Sequence, residues 1–432
     1  MEHLGLDLGT TTISAAVLDA DGRLLCTRTV PGGAAVAGQP WERKQDASGI
    51  ECTALSLLDG LLQEFPDIGC VGLTGQMHGI VYVDAAGQLL SPLYTWQDET
   101  GAQPGPDGKS TAARLTARTG YPLASGYGLV TLACHQAAGT IPDGAAAVCT
   151  IADYLAMRLS GRSAPCLTPS MAASLGLFDG TGFDREAVRR AGLPERLLPE
   201  VSDEAELGGG RLRVFAALGD NQASFLGAGH GRLDAPLVNI GTGSQFSFFT
   251  KEHRTVPGLE TRPFPGGWLL TGAPLCGGRS FALLERFFRQ TAELVTGTPC
   301  PSAYPAMLRA LEAPMPDDVP QFRTTFAGTR QDPAERAVLS GLDEENFAPV
   351  PLLHALLRGM ADELSACYRA TLKAGCAPAG RLLGSGNGLR RNPALQRAVE
   401  RSFGLPLTLA AVPEEAACGA ALFTRMQHEA AL

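Results

Sequence analysis

The chain carries nearly the same short motif twice, and this repeat constrains its fold more than any other feature. Residues 6–12 read LDLGTTT, and residues 238–244 read VNIGTGS. In both copies an apolar strand ends at a small polar residue and a Gly/Thr/Ser turn, and a second apolar strand follows. Such a turn directs backbone N–H groups and hydroxyls outward, which suits phosphate oxygens. The repeat predicts two similar domains holding a nucleoside triphosphate, although two ordinary glycine-turn hairpins give the same pattern.

Length and composition limit the class of protein. At 432 residues, the chain is longer than one hydrophobic core usually supports, so two domains are expected. Its net charge of −9 argues against nucleic acid as a partner, because phosphate backbones select basic surfaces. No apolar run reaches the roughly 18 residues of a membrane span, and no signal peptide is expected, because the first predicted strand begins at His3. The 11 scattered cysteines fit free thiols and predict a cytoplasmic location.

The order of the predicted elements indicates the architecture. Strands alternate with helices after an antiparallel start in each half, which predicts α/β sheets with covered faces. We expect an N-terminal domain at residues 1–232, with a mostly helical insertion at about 111–205, and a C-terminal domain at 233–432. Residues 99–110 combine glycines and prolines with polar side chains, which predicts a mobile loop.

Two aspartates stand at predicted strand ends beside glycines. Asp7 precedes the first Gly-Thr turn, where it could hold Mg²⁺ through water, or simply cap the turn. Asp220 and Asn221 follow the strand at 214–218. A carboxylate there can accept a proton from a substrate hydroxyl and orient the nucleophile. The structural alternative is Asp220 as the N-cap of the next helix, and the two roles are compatible.

Two further segments carry side chains suited to a polyhydroxylated ligand. The loop Gly75-Gln76-Met77-His78-Gly79 places three bonding or packing side chains between glycines. Trp96 and Asp98 follow, and an indole face beside a carboxylate is typical of a sugar-binding surface. His78 as a satisfied structural histidine and Trp96 as a core residue remain the alternatives. Residues 384–388 (GSGNG) end a strand, and their glycines allow the backbone to approach a base or ribose closely.

These pieces, in this order, resemble the FGGY family of carbohydrate kinases, within the actin/hexokinase/Hsp70 ATPase superfamily. The resemblance spans essentially the whole chain. It rests on six segments that occur in register, namely residues 5–11, 75–79, 219–222, 241–244, 277–278 and 384–386, and residues 414–421 also look like the family's last helix. It implies two RNase H-like domains with a cleft between them, ATP and Mg²⁺ as cofactors, and a ketose as substrate. Family members are commonly dimers, so a homodimer is one expectation.

The resemblance also implies roles for individual residues. Asp220 would be the catalytic base, and Asp7 and Asp220 would help to hold Mg²⁺. The sugar contacts would be Gln76, Met77, His78, Trp96, Asp98 and Asn221. The phosphates and adenosine would contact Thr10, Thr11, Thr12, Gly241, Thr242, Gly243, Ser244, Gly277, Gly278, Gly384, Ser385, Gly386 and Asn387.

Within the family, three stretches are similar to the sedoheptulokinase branch, with the xylulokinase branch as the alternative. They are residues 95–98, 150–154 and 384–392. One position departs from the family pattern, because relatives often carry an arginine where this chain has Thr100. This departure, beside the presumed sugar pocket, concerns the identity of the sugar rather than the kinase class.

Two other classes of function remain open at this stage. A nucleotide-binding switch or chaperone of the same superfamily would carry an appended client-binding or DNA-binding domain, and the sequence contains no basic helix-turn-helix segment. An inactive sugar-binding relative would lack the catalytic carboxylate, whereas Asp220 is present. The sequence therefore favours an ATP-dependent ketose kinase.

Overall fold

The computed structural model describes residues 1–203, 206–275, 277–329, 332 and 334–430. Glu204 and Ala205, at the end of the predicted insertion, lie outside the described residues. The chain forms two compact units. Unit 1 comprises Met1–Gly231 together with the segment that starts at Val412, and unit 2 comprises Arg232–Ala411.

Unit 1 contains fourteen strands and eight helices within the described residues, with two short 3₁₀ helices at Thr100–Ala102 and Glu195–Leu197. The strands are β1 Glu2–Leu8, β2 Thr12–Leu18, β3 Leu24–Pro31, β4 Ala35–Val36, β5 Lys44–Gln45, β6 Ile68–Gly75, β7 Val81–Val83, β8 Leu93–Tyr94, β9 Ala147–Cys149, β10 Cys166–Leu167, β11 Glu200–Val201, β12 Glu206–Gly208, β13 Arg213–Phe215 and β14 Leu218–Gly219. The helices are α1 Ala47–Glu64, α2 Thr111–Thr119, α3 Gly128–Ala138, α4 Ile151–Ser160, α5 Pro169–Leu175, α6 Arg185–Ala191, α7 Asp220–Ala228 and α13 Glu415–Ala430.

Unit 2 contains eight strands and five helices within the described residues. The strands are β15 Leu237–Ile240, β16 Ser244–Thr250, β17 Glu260–Phe264, β18 Gly267–Gly272, β19 Gln321–Arg323, β20 Val338–Ser340, β21 Leu382–Ser385 and β22 Leu407–Leu409. The helices are α8 Gly278–Thr296, α9 Tyr304–Ala310, α10 Pro349–Lys373, α11 Asn387–Arg390 and α12 Pro393–Phe403.

The main sheets of the two units follow the same plan. In unit 1 the order is β12-β13-β6-β1-β2-β3, with β14 also paired to β6. In unit 2 it is β17-β18-β16-β15-β21-β22. The first strand of each unit pairs antiparallel with its hairpin partner and parallel with a later strand. The internal repeat predicted from the two Gly-Thr turns is therefore present in the fold.

Local sequence explains why several helices form where they do. Helix α1 buries Ile50, Ala54, Leu58 and Leu61 along one face, which is the 3.6-residue spacing of an amphipathic helix. Helix α2 begins after Ser110, whose side chain accepts a hydrogen bond from the Ala113 N–H. Among the described residues, no helix has both the length and the apolar character needed to cross a membrane.

The segment at residues 99–110 is folded back on itself. It contains the Thr100–Ala102 3₁₀ helix and a turn closed by an isolated bridge between Pro104 and Ser110. The Arg114 guanidinium pairs with Asp107 across this turn at 3.0 Å. The predicted loop thus has regular local structure, and its mobility stays a prediction. The predicted helical insertion contains helices α2 to α6 and the short strands β9 to β11.

The closing helix α13 packs within compact unit 1, although the expected C-terminal domain at 233–432 includes it. The expected domain bounds stay a prediction. Small residues explain this packing, because they let helix backbones and strands approach closely. A Cβ atom added to Gly419 would lie 1.8 Å from the Ala223 carbonyl oxygen on α7. A Cβ atom added to Gly5 on β1 would lie 1.9 Å from the Ala417 carbonyl oxygen on α13.

This packing predicts a large effect of a single methyl group. We expect Gly419→Ala to destabilise the protein by about 3 kcal/mol, because the Ala223 backbone cannot move aside as a flexible side chain could. Gly60→Ala on the exposed face of α1 is the matched control, since an added Cβ there meets nothing within 4 Å. It should stabilise by roughly 0.5–1 kcal/mol. Thermal unfolding of both variants decides this, and equal stabilities would contradict the close packing of α13.

Candidate active site

The register of three parallel strands brings three predicted site residues of unit 1 to one edge of its sheet. Asp7 on β1 lies opposite Thr74 on β6, and Gly219 on β14 lies opposite Gly75 at the end of β6. Gln76 follows β6 directly and its N–H donates to the Leu8 carbonyl at 3.0 Å. Ligands of α/β sheets bind at the carboxyl ends of parallel strands, which is where Asp7, Gln76 and Asp220 lie.

Asp220 is the first residue of α7, and Gly219 is the N-cap. The structural alternative of Asp220 as the cap itself is therefore wrong by one position. The strand end is held from α5, because the Gly219 N–H donates to the Ser170 hydroxyl at 3.1 Å. The Thr168 hydroxyl donates to the Ala217 carbonyl at 2.7 Å. A carboxylate at the first position of a helix is favoured by the helix dipole.

The carboxyl group of Asp7 is in an unusual electrostatic environment. Its Oδ1 atom is buried and has no hydrogen-bond partner among the described residues. Burial, followed by the negative charges of Asp220 and Glu414, raises the pKa of Asp7 to about 7. Glu414 was not predicted as a site residue, and its Oε1 atom accepts a hydrogen bond from the Thr29 hydroxyl at 3.0 Å. Its position just before α13 was the available signal.

These carboxylates fit a hydrated divalent cation. An unpartnered buried oxygen and three mutually repelling carboxyl groups gain stability when a cation neutralises them. Within the described part of the chain, no group of three His, Cys, Asp or Glu side chains is arranged to ligate a metal directly. Mg²⁺ keeps several of its waters, so contact through water is compatible with both observations.

A chain of amide hydrogen bonds links the predicted sugar loop to the first Gly-Thr turn. The Gln76 Nε2 donates to the Gln45 Oε1 at 2.9 Å, and the Gln45 Nε2 donates to the Thr10 carbonyl at 2.7 Å. The Gln76 Oε1 is buried without a partner among the described residues, so it is available to a ligand hydroxyl or water. The Trp96 Nε1 donates to the Thr10 hydroxyl at 3.0 Å, and 46% of Trp96 is exposed. Trp96 is therefore a surface residue, not a core one.

His78 is held in a single orientation. Its Nδ1 donates to the Ser174 carbonyl at 2.7 Å, and its ring stacks on Tyr127 with centroids 4.6 Å apart. Because the carbonyl can only accept, Nδ1 carries the proton of this hydrogen bond, and Nε2 is an acceptor whenever the ring is neutral. The backbone of His78 has a φ of 73°, which L residues rarely adopt and which is common at binding sites. Helix α5, which supplies Ser174, was not predicted to contribute.

The remaining predicted residues of unit 1 occupy different environments. Met77 is only 5% exposed and lies against Gly219, so little of it is accessible to a ligand. The buried Asp98 carboxylate accepts hydrogen bonds from the Arg43 and Thr100 backbone N–H groups, both at 3.0 Å. Asp98 thus orders the loop that contains Thr100. Thr100 is the position at which the family pattern often has arginine. Asn221 is buried on α7, whereas Thr11 and Thr12 are exposed at the hairpin turn.

In unit 2 the second Gly-Thr turn packs on the start of α8. The Gly278 N–H donates to the Gly241 carbonyl, and the Arg279 N–H donates to the Thr242 carbonyl, both at 2.9 Å. A Cβ atom on Gly277 would lie 2.1 Å from the Gly243 carbonyl oxygen, so the contact requires glycine. Thr242 and Gly243 are exposed, and Ser244 begins β16.

The third glycine-rich segment reaches the same edge of the unit 2 sheet. Strand β21 carries Gly384 and Ser385 beside β15, and Gly386 follows with a φ of 86°. A Cβ atom on Gly386 would lie 2.5 Å from the Ile240 carbonyl oxygen, directly before the Gly-Thr turn. Asn387 starts α11 and is exposed. The structure therefore brings together all the predicted phosphate and adenosine contacts of unit 2.

Comparison with known proteins identifies the family of the chain. The sequence model of the FGGY family of carbohydrate kinases, N-terminal domain, matches residues 3–233, and the model of the C-terminal domain matches residues 237–428. The sedoheptulokinase of Mus musculus is 28% identical over 97% of this chain and 96% of that protein. The xylulose kinase of Streptomyces coelicolor is 26% identical over 97% of this chain and 86% of that protein.

The fold is also shared with solved structures. The crystal structure of xylulose kinase from Rhodospirillum rubrum aligns with a TM-score of 0.82 and 22% identity, over 99% of this chain and 90% of that one. The predicted fold class, two RNase H-like domains of α/β type, is confirmed. The two family models together cover nearly the whole chain, and the protein therefore belongs to the FGGY family of carbohydrate kinases.

Proposed function

We propose that this sugar kinase transfers the γ-phosphoryl group of ATP to the primary hydroxyl of sedoheptulose, giving sedoheptulose 7-phosphate. The observation that carries the proposal is the meeting of Asp7, Gln76 and Asp220 at one sheet edge. This edge combines a candidate base with the buried Gln76 Oε1, which has no hydrogen-bond partner among the described residues and could accept a hydrogen bond from a sugar hydroxyl. For the choice of sugar, the support is the similarity to mouse and human sedoheptulokinases, each 28% identical over at least 97% of this chain.

The residues of unit 1 would bind and activate the ketose. The Gln76 Oε1 and the His78 ring would bond to sugar hydroxyls, and the exposed Trp96 indole would cover one face of the sugar. Asn221 would contact the sugar, and Asp98 would hold the loop beside it in place. Met77 would pack beneath the sugar as an apolar contact. The Asp220 carboxylate would accept the proton of the primary hydroxyl as that oxygen forms its bond to the γ-phosphorus. The bond from phosphorus to the bridging oxygen breaks at the same time, and ADP leaves.

The glycine turns would hold ATP. Thr10 to Thr12 of unit 1 and Gly241 to Ser244 of unit 2 would donate to phosphate oxygens, as hairpin-turn amides and hydroxyls do. The turn at Gly277 and Gly278, packed on the second hairpin, would keep it in place. Residues 384–387 would approach the adenosine. Asp7 and Asp220 would hold Mg²⁺ through water, and Mg²⁺ when bound supplies charge neutralisation for the phosphates. A homodimer stays a prediction.

The substrate is tested by ADP release with Mg-ATP and each of four ketoses at about 1 mM, near the upper end of usual Michaelis constants. Sedoheptulose should stimulate release well above D-xylulose, D-ribulose and L-ribulose. Stronger stimulation by D-xylulose would instead favour the xylulokinase alternative. Flat traces, with ATP binding confirmed separately, would contradict activity on these ketoses.

A further inference from the structure

Unit 2 contains a cavity of about 440 Å³ that none of the predicted nucleotide contacts line. It lies between helices α10 and α12 and the segment that follows α9, and we call it the arginine cavity after Arg358, Arg397 and Arg401 in its wall. Its volume is within the range of sites that bind small molecules. The cavity is therefore large enough for a ligand of its own.

The three guanidinium groups around the cavity have no ion-pair partner among the described residues. Glu312 and Asp362 also line the cavity, and one Asp362 oxygen accepts a hydrogen bond from the Ser402 hydroxyl at 2.7 Å. The lining thus has an excess of positive charge. Unpaired guanidinium groups that face one cavity attract an anion, which their planar fork binds through two N–H groups at once.

A purely structural role is the alternative explanation for these arginines, because two of them hold the segment that follows α9 by hydrogen bonds. The Arg358 Nη2 donates to the Val319 and Pro320 carbonyls, and the Arg397 Nη2 donates to the Leu311 carbonyl at 3.0 Å. Among the described residues, the Arg401 guanidinium donates one hydrogen bond, to the Met315 sulfur at 3.8 Å. Each guanidinium has five N–H donors, so most of these donors remain after the tethers are counted. These hydrogen bonds also do not explain the unpartnered ring nitrogen of His354, which lines the same cavity.

His354 lies on α10. The residue is only 4% exposed and lines the cavity, and its Nε2 atom is buried without a partner among the described residues. A buried ring nitrogen without a partner is destabilising, and native structures usually supply one. Burial, followed by the charges of Arg397 and Arg401, lowers the pKa of His354 and favours the neutral ring, which has one N–H to donate. A bound anion beside it would satisfy this group.

The rest of the lining is apolar. It includes Pro314, Met315, Leu357, Ala394 and Ala398. A bare inorganic ion would leave these side chains facing water, whereas an organic body would cover them. From the unpaired arginines, His354 and this apolar wall, we propose that the arginine cavity binds a small organic phosphate monoester. The phosphate would lie at Arg397 and Arg401, and the organic body would lie along the apolar wall.

The test is calorimetric titration of the full chain with phenyl phosphate, in saturating Mg-ADP to fill the nucleotide loops. Phenol and inorganic phosphate are titrated in parallel. We expect phenyl phosphate to bind with a Kd below about 1 mM, and phenol and inorganic phosphate to bind at least tenfold more weakly. Absence of binding, or equal binding of phenol, would overturn the site. Equal binding of inorganic phosphate would overturn the organic ligand.

Variants locate the binding. Arg401→Gln removes the charge of an exposed residue and should weaken phenyl phosphate binding about tenfold or more, with an unchanged melting temperature. Arg286→Gln, exposed on α8 and outside the cavity, makes the same charge change and should leave the Kd unchanged. If Arg401→Gln lowers the melting temperature, His354→Phe serves as the second variant, because it removes the N–H while keeping an aromatic ring. Equal weakening by Arg286→Gln, or none in the cavity variants, would contradict the proposal.

Discussion

The Asp220→Asn variant is expected to keep the fold of the parent kinase and to lose on the order of 10²–10⁴ in turnover. The amide cannot accept the proton of the sugar hydroxyl, but it has nearly the same shape. Asp220 is the first residue of α7, so loss of its charge beside the helix dipole costs only about 0.3–1 kcal/mol. Turnover is measured as ADP release with Mg-ATP and sedoheptulose, and folding by thermal unfolding.

Asp184→Asn is the matched control for this variant. Asp184 is the N-cap of α6, where its side chain accepts a hydrogen bond from the Ala187 N–H at 2.9 Å. Asparagine caps helices about as well as aspartate, and its Nδ2 can donate to the Tyr121 hydroxyl, which donates to the Asp184 carboxylate at 2.9 Å in the parent, so both stability and turnover should stay near those of the parent. A turnover of Asp220→Asn close to that of the parent would exclude Asp220 as the base. An equal loss in Asp184→Asn would show that the effect is not specific.

The parts of the fold and of the site that could be predicted from the sequence are those specified by short runs of contiguous residues. The two Gly-Thr turns are each flanked by apolar strands, and each forms a hairpin at the predicted position. Because the carboxyl ends of parallel strands meet at one edge, residues that follow successive strands come together without further information. The sequence placed Asp7, Gln76 and Asp220 at the ends of three predicted strands, and the parallel pairing of β1, β6 and β14 then brings them to one edge.

The parts that were missed depend on contacts between distant segments. Gln45 belongs to a two-residue strand without a periodic pattern, yet it bridges Gln76 and Thr10. The packing of α13 in unit 1 depends on backbone approaches at glycines such as Gly5 on β1 and Gly419 on α13 itself. Glu414 interacts with Asp7 only because α13 packs there. Such contacts cannot be predicted from local sequence, because each partner by itself is an ordinary small or polar residue.

Substitution of Asp7 by asparagine should make the metal-free protein more stable above pH 7. A carboxyl group in an unfolded chain titrates near pH 4, whereas that of Asp7 in the folded protein titrates at about 7. Between these values the folded state holds a proton that the unfolded state has released. The contribution of Asp7 therefore falls as the pH rises, by at most about 1.4 kcal/mol per pH unit. Below pH 4 it imposes no such cost.

The same substitution should impair the use of Mg²⁺, because the buried charge that destabilises the free enzyme is the charge that would hold the cation. We expect the Mg²⁺ concentration at half-maximal turnover to rise by about 10–100-fold in Asp7→Asn. Urea unfolding in EDTA, without nucleotide, should give nearly equal stabilities near pH 4 and a more stable variant at pH 8. A variant less stable than the parent at pH 8 would show that Asp7 carries no electrostatic cost. An unchanged Mg²⁺ requirement would show that the Asp7 carboxylate does not help to hold the cation. The prediction therefore requires that both the stability at pH 8 and the Mg²⁺ requirement change in Asp7→Asn.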